Sequence, residues 1–185
     1  TYSRNNVWND KIGLWQDVVN KSPGKLRGHK NLGMINREKG DLDEAIEHLK
    51  ESIVIDPFDY ETHVLLGICF DELGRSNEAI IELKSAIEIN PYLSEAHNSL
   101  GVVLGELGRV NEAIIEFRTA LRINPRSAET HDNLGMSLFV LGRTGEAIKE
   151  FREALRLKPG LTKAQYDLEA ALGKLGRTNK ATNSQ

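Results

Sequence analysis

The chain has 185 residues, of which 39% are hydrophobic and 28% charged, and its formal net charge of −3 argues against nucleic acid as the main partner. This composition is typical of a soluble globular protein, and no apolar run reaches the ~18–20 residues that a membrane span needs. The single cysteine, Cys69, excludes both an internal disulfide framework and a zinc site built from several cysteines.

The prolines divide the chain into equal parts. There are five, and consecutive ones are always 34 residues apart: Pro23, Pro57, Pro91, Pro125 and Pro159. Such regular spacing predicts an array of internal repeats. Counted from Leu26, four full units are predicted over residues 26–59, 60–93, 94–127 and 128–161, with incomplete flanks on both sides.

The first flank, residues 1–25, is predicted as the second half of a preceding repeat. Ile12, Trp15 and Val19 follow the spacing of a helix that packs on one face, and Pro23 ends the unit. We therefore expect a capping helix over residues 8–23.

Each full unit is predicted to form two helices. In the third, apolar residues recur at steps of three and four over residues 100–107, and Gly108 is suited to end that helix in left-handed backbone. A second apolar pattern covers residues 113–123, and the proline of Asn124-Pro125 ends it. Small residues at recurring positions predict close packing of the two helices, and no strand pattern is present.

The last flank, residues 162–185, is predicted as a capping helix followed by a polar tail. The helix should end at Gly176, and the tail should fray. Glu169 stands where the full units have a packing glycine, which favours an exposed cap. Because one hairpin cannot bury its own apolar face, the units should stack into a continuous core.

The repeated motifs resemble those of the tetratricopeptide-repeat (TPR) family. The resemblance rests on residues 97–101, 111–117 and 124–125 and on their counterparts at 34-residue steps. It implies an all-α, right-handed superhelical solenoid whose first helices line a concave groove. It also implies a non-catalytic scaffold for protein–protein interaction, which binds a peptide or protein segment in that groove.

Residues that differ between repeats should carry specificity, and by analogy with the family several first-helix positions face the groove. The predicted groove residues are Arg27, Lys30, Asn31, Met34, Arg37, Glu61, Val64, Ile68, Asp71, Glu95, Asn98, Val102, Glu129, Asp132, Met136, Phe139 and Tyr166. The first repeat is basic and the middle acidic, so we hypothesise a segment with apolar anchors and with basic residues over Glu61, Glu95 and Glu129. The alternative is that these charges only keep a scaffold soluble.

One TPR subgroup grips a peptide's terminal carboxylate with a lysine and asparagines. Lys30 matches the lysine, but Met34 and Leu65 stand where asparagines are expected, which disfavours that mode.

A second resemblance gives an alternative function. Residues 4–10, 14–19 and 21–23 are similar to a junction in polytopic membrane proteins, some of them mannosyltransferase-like, that carry TPR arrays at the C-terminal end. This implies the soluble C-terminal accessory domain of a membrane glycosyltransferase-like protein, tethered upstream of residue 1. The start at Thr1 rather than methionine predicts a fragment, and no compartment is otherwise indicated.

No catalytic or cofactor motif is present. Equivalent histidines recur in the four units, but side chains of stacked repeats lie ~8–10 Å apart and do not converge on a metal. We therefore predict a packing role with one ring nitrogen hydrogen-bonded for His29, His63, His97 and His131. The glycines form no phosphate-binding loop, and Cys69 is predicted to be buried and inert. We expect no enzyme activity, cofactor, metal or small-molecule substrate. The expected partner is a protein or peptide. A third interpretation of the function is self-association through the open repeat ends.

Overall fold

The computed structural model describes residues 2–182, with side chains for residues 11–177, and in that part of the chain all regular structure is helical. The chain divides into two compact units between Pro91 and Tyr92. Unit 1 contains α1 (Tyr2–Lys21), α2 (Leu26–Lys39), α3 (Leu42–Ile55), α4 (Tyr60–Glu72) and α5 (Ser76–Ile89). Unit 2 contains α6 (Ser94–Glu106), α7 (Val110–Ile123), α8 (Ala128–Val140), α9 (Thr144–Leu157) and α10 (Thr162–Thr182).

Within each unit every helix packs on the next one along the chain, so the helices form antiparallel pairs that stack. First helices of neighbouring repeats also touch, α2 with α4 in unit 1 and α8 with both α6 and α10 in unit 2. The predicted all-α stack of helix pairs is thereby confirmed within each unit.

Glycines allow the two helices of a pair to approach closely. A Cβ atom added to Gly33 would lie 2.6 Å from Leu49 Cγ, and one added to Gly135 would lie 2.7 Å from Phe151 Cε1. Leu49 and Phe151 are fully buried. Burial of a side chain of this size stabilises the fold by ~1.5–3 kcal/mol, so the glycine beneath it serves packing rather than a ligand.

The predicted glycine stops are confirmed at four turns and not at the fifth. Backbone φ is positive, between 70° and 95°, at Gly40, Gly74, Gly108 and Gly142. α10 instead continues through Gly176 to Thr182. Residues 177–185 include no large apolar residue, so this segment has no apolar face to fold back against the helix.

The N-terminal helix is longer than the sequence pattern predicted, because it begins at Tyr2 rather than near residue 8. Neither proline nor glycine interrupts the chain before Gly13. The polar tail predicted at the other end lies partly in α10, and residues 183–185 lie outside the described residues.

Candidate functional site

The first helices of each unit carry the predicted groove residues. We call these surfaces the first-helix face of unit 1 (α2 and α4) and the first-helix face of unit 2 (α6, α8 and α10). The side chains differ strongly in what they offer a partner.

The cations on the first-helix face of unit 1 are engaged within the chain. Lys30 Nζ lies 3.1 Å from Asp59 Oδ2 and also pairs with Glu61. Burial opposes the charge of Lys30, but the hydrogen bonds to Glu61 and Asp59 raise its pKa above the usual value. Arg37 pairs with Glu72 at 2.7 Å. The basic first repeat therefore neutralises acids of the second.

Little of the remaining unit 1 face is available for contact. The guanidinium of Arg27 stacks 5.6 Å from the centre of the Trp15 ring. Asn31 donates a hydrogen bond to the Arg27 carbonyl oxygen at 2.6 Å. Val64 is only 6% exposed. Ile68 and Asp71 are half-buried, which leaves Met34, 39% exposed, as the main apolar contact surface.

The first-helix face of unit 2 contains an open pocket of about 390 Å³. Its lining includes Val102, Gly105, Val110, Met136, Val140 and Lys163. Two of these, Val102 and Met136, are predicted groove residues, and both are half-buried. This pocket could accommodate an apolar side chain of a bound segment.

The other predicted residues of unit 2 surround this pocket or lie farther along the face. Asn133 on α8 donates a hydrogen bond to Asn98 Oδ1 on α6 at 3.2 Å. Phe139 is covered by Lys174, whose Nζ lies 4.8 Å from the ring centre. Glu129 pairs with Lys158 at 2.8 Å, whereas Glu95 is exposed. Tyr166 is 68% exposed.

A charged cluster links α8 to α10. Asp132, a predicted groove residue, is only 3% exposed. Lys163 Nζ lies 2.5 Å from Asp132 Oδ2 and 3.6 Å from Asp167 Oδ2. The predicted set omitted Lys163 and Asp167, although both occupy positions equivalent to predicted residues of earlier repeats.

In the second and fourth repeats, the recurring histidine joins the first helix to two other segments. His63 bonds through Nε2 to the Pro57 carbonyl oxygen at 3.1 Å and through Nδ1 to Glu82 at 2.7 Å. His131 bonds in the same way to Pro125 and Glu150. The sequence predicted a structural role with one bonded nitrogen, and in these two repeats both nitrogens are bonded.

These bonds favour the charged form of the imidazole. A carbonyl and a carboxylate are both acceptors, so each ring nitrogen must carry a proton. Chiefly through the hydrogen bond to Glu82, the pKa of His63 is raised, and the bond to Glu150 raises the pKa of His131. The missed partners recur at 34-residue steps, a signal that the sequence contains: Glu82, Glu116 and Glu150.

The first repeat departs from this arrangement because His48 stands where the others have glutamate. His29 Nε2 bonds the Pro23 carbonyl oxygen at 3.2 Å, but its buried Nδ1 has no hydrogen-bond partner. The His29 and His48 ring centres are 5.6 Å apart. Burial, together with the nearby His29, lowers the pKa of His48.

The described residues offer little for metal or thiol chemistry. In this part of the chain no group of three or more His, Cys, Asp or Glu side chains could hold a metal ion. Cys69 is fully buried, as predicted, and burial raises the pKa of its thiol to about 11. The thiolate, which is the reactive form, is therefore strongly disfavoured.

Two expectations about the chain ends stay predictions. The resemblance to membrane-protein junctions includes residues 4–10, whose side chains lie outside the described part. No helix within the described residues is long and apolar enough to cross a membrane. Self-association through the repeat ends is also untested, although the side chain of Leu172 on α10 is 41% exposed.

Solved structures share this fold. MamA is 25% identical, with a TM-score of 0.76 over 87% of this chain and 94% of that one. TTC0263 from Thermus thermophilus is 20% identical, with a TM-score of 0.74 over 92% and 93% of the two chains. YrrB is described as a TPR protein with an unusual peptide-binding site. It is 18% identical, with a TM-score of 0.72 over 89% of this chain and 84% of YrrB. At identities under 25%, the likeness concerns the fold alone.

Family models identify the repeats directly. No curated protein matches the chain. Tetratricopeptide-repeat models match residues 26–59, 94–127 and 128–161, and a second model of the same description matches residues 60–92. These matches cover well over half of the 185 residues. The chain therefore belongs to the tetratricopeptide-repeat family.

Proposed function

We propose that the chain is a non-catalytic interaction scaffold that binds a protein or peptide segment along the first-helix face of unit 2. The observation that carries this proposal is the open pocket of about 390 Å³ between Val102 and Met136. Concave sites with apolar lining and a few polar groups are typical of ligand-binding sites. YrrB has a peptide-binding site, so this fold is able to carry one.

Charge favours a basic segment on this face. Glu106 borders the pocket, and Glu95 is exposed with no ion pair found among the described residues. Glu61 and Glu129 each pair with a lysine of the chain, so Glu95 is the most available of the three acids in the original hypothesis. Complementary charge on the partner would mainly speed its encounter and select its orientation.

Gly105 offers a direct test of the pocket. A Cβ there would meet only Ala113 Cβ at 3.9 Å, so arginine fits on the helix and projects into the pocket. Gly145 on α9, outside the first-helix face, has nothing within 4 Å of the same added atom, and it provides a matched arginine variant away from the pocket. Peptides selected on the wild-type chain by display would be measured against both variants by fluorescence anisotropy.

We expect Gly105→Arg to weaken peptide binding by roughly tenfold or more, because loss of one apolar anchor removes about 1.5–3 kcal/mol. Gly145→Arg should bind as the wild type does. Equal binding by both variants would show that the pocket is not the site. A charge reversal of Glu61, Glu95 and Glu129 that leaves affinity unchanged would remove the electrostatic part of the proposal.

A further inference from the structure

The charged cluster of unit 2 consists of Asp132, Asp167 and Lys163, and the lysine does not satisfy both carboxylates. The side chain of Asp132 is 4% exposed and that of Asp167 is 17% exposed, whereas that of Lys163 is 56% exposed. The two carboxylates project from different helices, α8 and α10, towards one ammonium group. Lys163 thus lies over the acids from the solvent side.

One ammonium does not satisfy both carboxylates. Asp132 Oδ1 is buried without a hydrogen-bond partner, and buried Asp167 Oδ2 is beyond normal hydrogen-bond distance of Lys163 Nζ, at 3.6 Å. Burial, and after it the charge of Asp132, raises the pKa of Asp167, although Lys163 opposes this. Buried polar atoms in native proteins are nearly always hydrogen-bonded, and a buried carboxylate oxygen without a donor is costly. The cluster therefore lacks hydrogen-bond donors as well as positive charge.

We propose that Asp132 and Asp167 receive the guanidinium of an arginine from the bound segment, and that Lys163 is an intrachain substitute displaced by it. A guanidinium presents five N–H donors in a planar fork that matches carboxylates, whereas an ammonium is a compact point charge with three donors. The fork offers donors to Asp132 Oδ1, which Lys163 leaves without a partner, and to Asp167 Oδ2, which Lys163 approaches only to 3.6 Å. This inference rests on the proposed function and specifies the chemistry of the segment.

The surroundings of Lys163 permit the exchange. Its side chain is more than half exposed, so it moves into solvent without opening the core. It also lines the open pocket that contains Val102 and Met136. A segment with an apolar residue in that pocket is therefore close enough to place a neighbouring arginine over the two carboxylates.

The experiment uses N-acetyl-leucyl-alanyl-arginine amide and its citrulline analogue. Citrulline keeps the shape of arginine but has no charge. Nuclear magnetic resonance of the ¹³C-labelled full chain follows the carboxyl carbons of Asp132 and Asp167 and the methyl groups of Val102 and Met136. We expect the arginine peptide, and not the citrulline peptide, to shift both carboxyl carbons.

Two lysine variants make the displacement testable. Lys163→Ala removes the competing ammonium, so the arginine peptide should bind about tenfold more tightly. Lys21→Ala removes an exposed lysine that pairs with Asp17 on α1, outside the first-helix faces, and it should leave the affinity unchanged. If Lys163→Ala does not fold, Lys163→Gln removes the charge while it keeps a donor for Asp132, and the same comparison applies.

Each result decides the inference. Equal affinity of Lys163→Ala and Lys21→Ala, equal response to the two peptides, or unmoved carboxyl carbons would overturn it. Methyl shifts at Val102 and Met136 without carboxyl shifts would overturn the arginine site and leave the proposed pocket standing. A silent spectrum would also overturn the arginine site, whereas the pocket is judged separately by the Gly105→Arg experiment.

Discussion

Replacement of His48 by glutamate should restore in the first repeat the bond that the other repeats possess. His48 occupies the position of Glu82, whose carboxylate lies 2.7 Å from His63 Nδ1. His29 Nδ1 is buried and has no such partner. The variant His48→Glu therefore supplies a carboxylate to a nitrogen that lacks one, and it removes the second imidazole 5.6 Å away.

The expected gain follows from two opposing contributions. A hydrogen bond to a charged group contributes about 1.5–3 kcal/mol. The new carboxylate lies four residues after Glu44 and three before Glu51, and each like-charge neighbour on a helix costs about 0.2–0.5 kcal/mol. We expect the free energy of unfolding of the first repeat to rise by about 1–2 kcal/mol at pH 6.

The pH dependence distinguishes this bond from a general effect of the substitution. His29 already donates Nε2–H to Pro23, so a carboxylate partner at Nδ1 requires the imidazolium, and the gain should fade as the pH rises and the imidazole loses its proton. His48→Gln is the matched control, because its amide N–H can donate to the neutral Nδ1 and its effect should persist at pH 8. Hydrogen exchange of the α2 and α3 amides measures both. A His48→Glu chain that is no more protected than the wild type at pH 6 would refute the reasoning.

Three further predictions concern individual sites. Glu82→Gln should lower the raised pKa of His63 towards 6.5 without changing the pKa of His131. A raised histidine pKa stabilises the folded state below the unfolded pKa, so the wild type should exceed the variant in free energy of unfolding by the full amount below pH 6.5. The difference should fade as pH rises through the folded pKa, and urea denaturation at several pH values measures it. Gly135→Ala places a Cβ atom 2.7 Å from Phe151 Cε1 and should destabilise the fold by about 1–2 kcal/mol. The added Cβ of Gly173→Ala has no atom within 4 Å, so this variant should stabilise the fold by up to about 1 kcal/mol. Equal urea midpoints for the two variants would contradict the packing argument. Cys69 should react with a thiol reagent only after urea unfolds the chain, and rapid labelling of the native chain would contradict its burial.

The repeat boundaries and the helix pairs were predictable because they follow from positions that recur every 34 residues. Proline, glycine and the small packing residues act through local backbone preference and steric contact, which are the same in every unit. The prediction was wrong at Gly176, where residues 177–185 include no large apolar residue to favour a turn. A recurring residue thus specifies a turn only when the following helix has a face to bury.

The candidate site was predictable only in part, because its side chains depend on partners one repeat away. The sequence places Lys30 among the groove residues of a basic first repeat, but the lysine pairs with Glu61. Asp132 was interpreted as a groove residue, but it is buried beneath Lys163. A position within the repeat gives the residue type but not the neighbour of that residue on the next first helix. Neither pairing could therefore be predicted from the repeat pattern alone.

These pairings change what variation between repeats means. The varying residues of first helices are engaged by partners about one repeat onward: Lys30 with Glu61, Arg37 with Glu72, Asn98 with Asn133, Glu129 with Lys158 and Asp132 with Lys163. A substitution at one of them therefore alters the match between neighbouring repeats before it alters any partner. Specificity for a bound segment should then reside where that internal match is incomplete. In unit 2 this condition is met beside an open apolar pocket, where Asp132 Oδ1 has no hydrogen-bond partner and Asp167 Oδ2 is only approached by Lys163 at 3.6 Å.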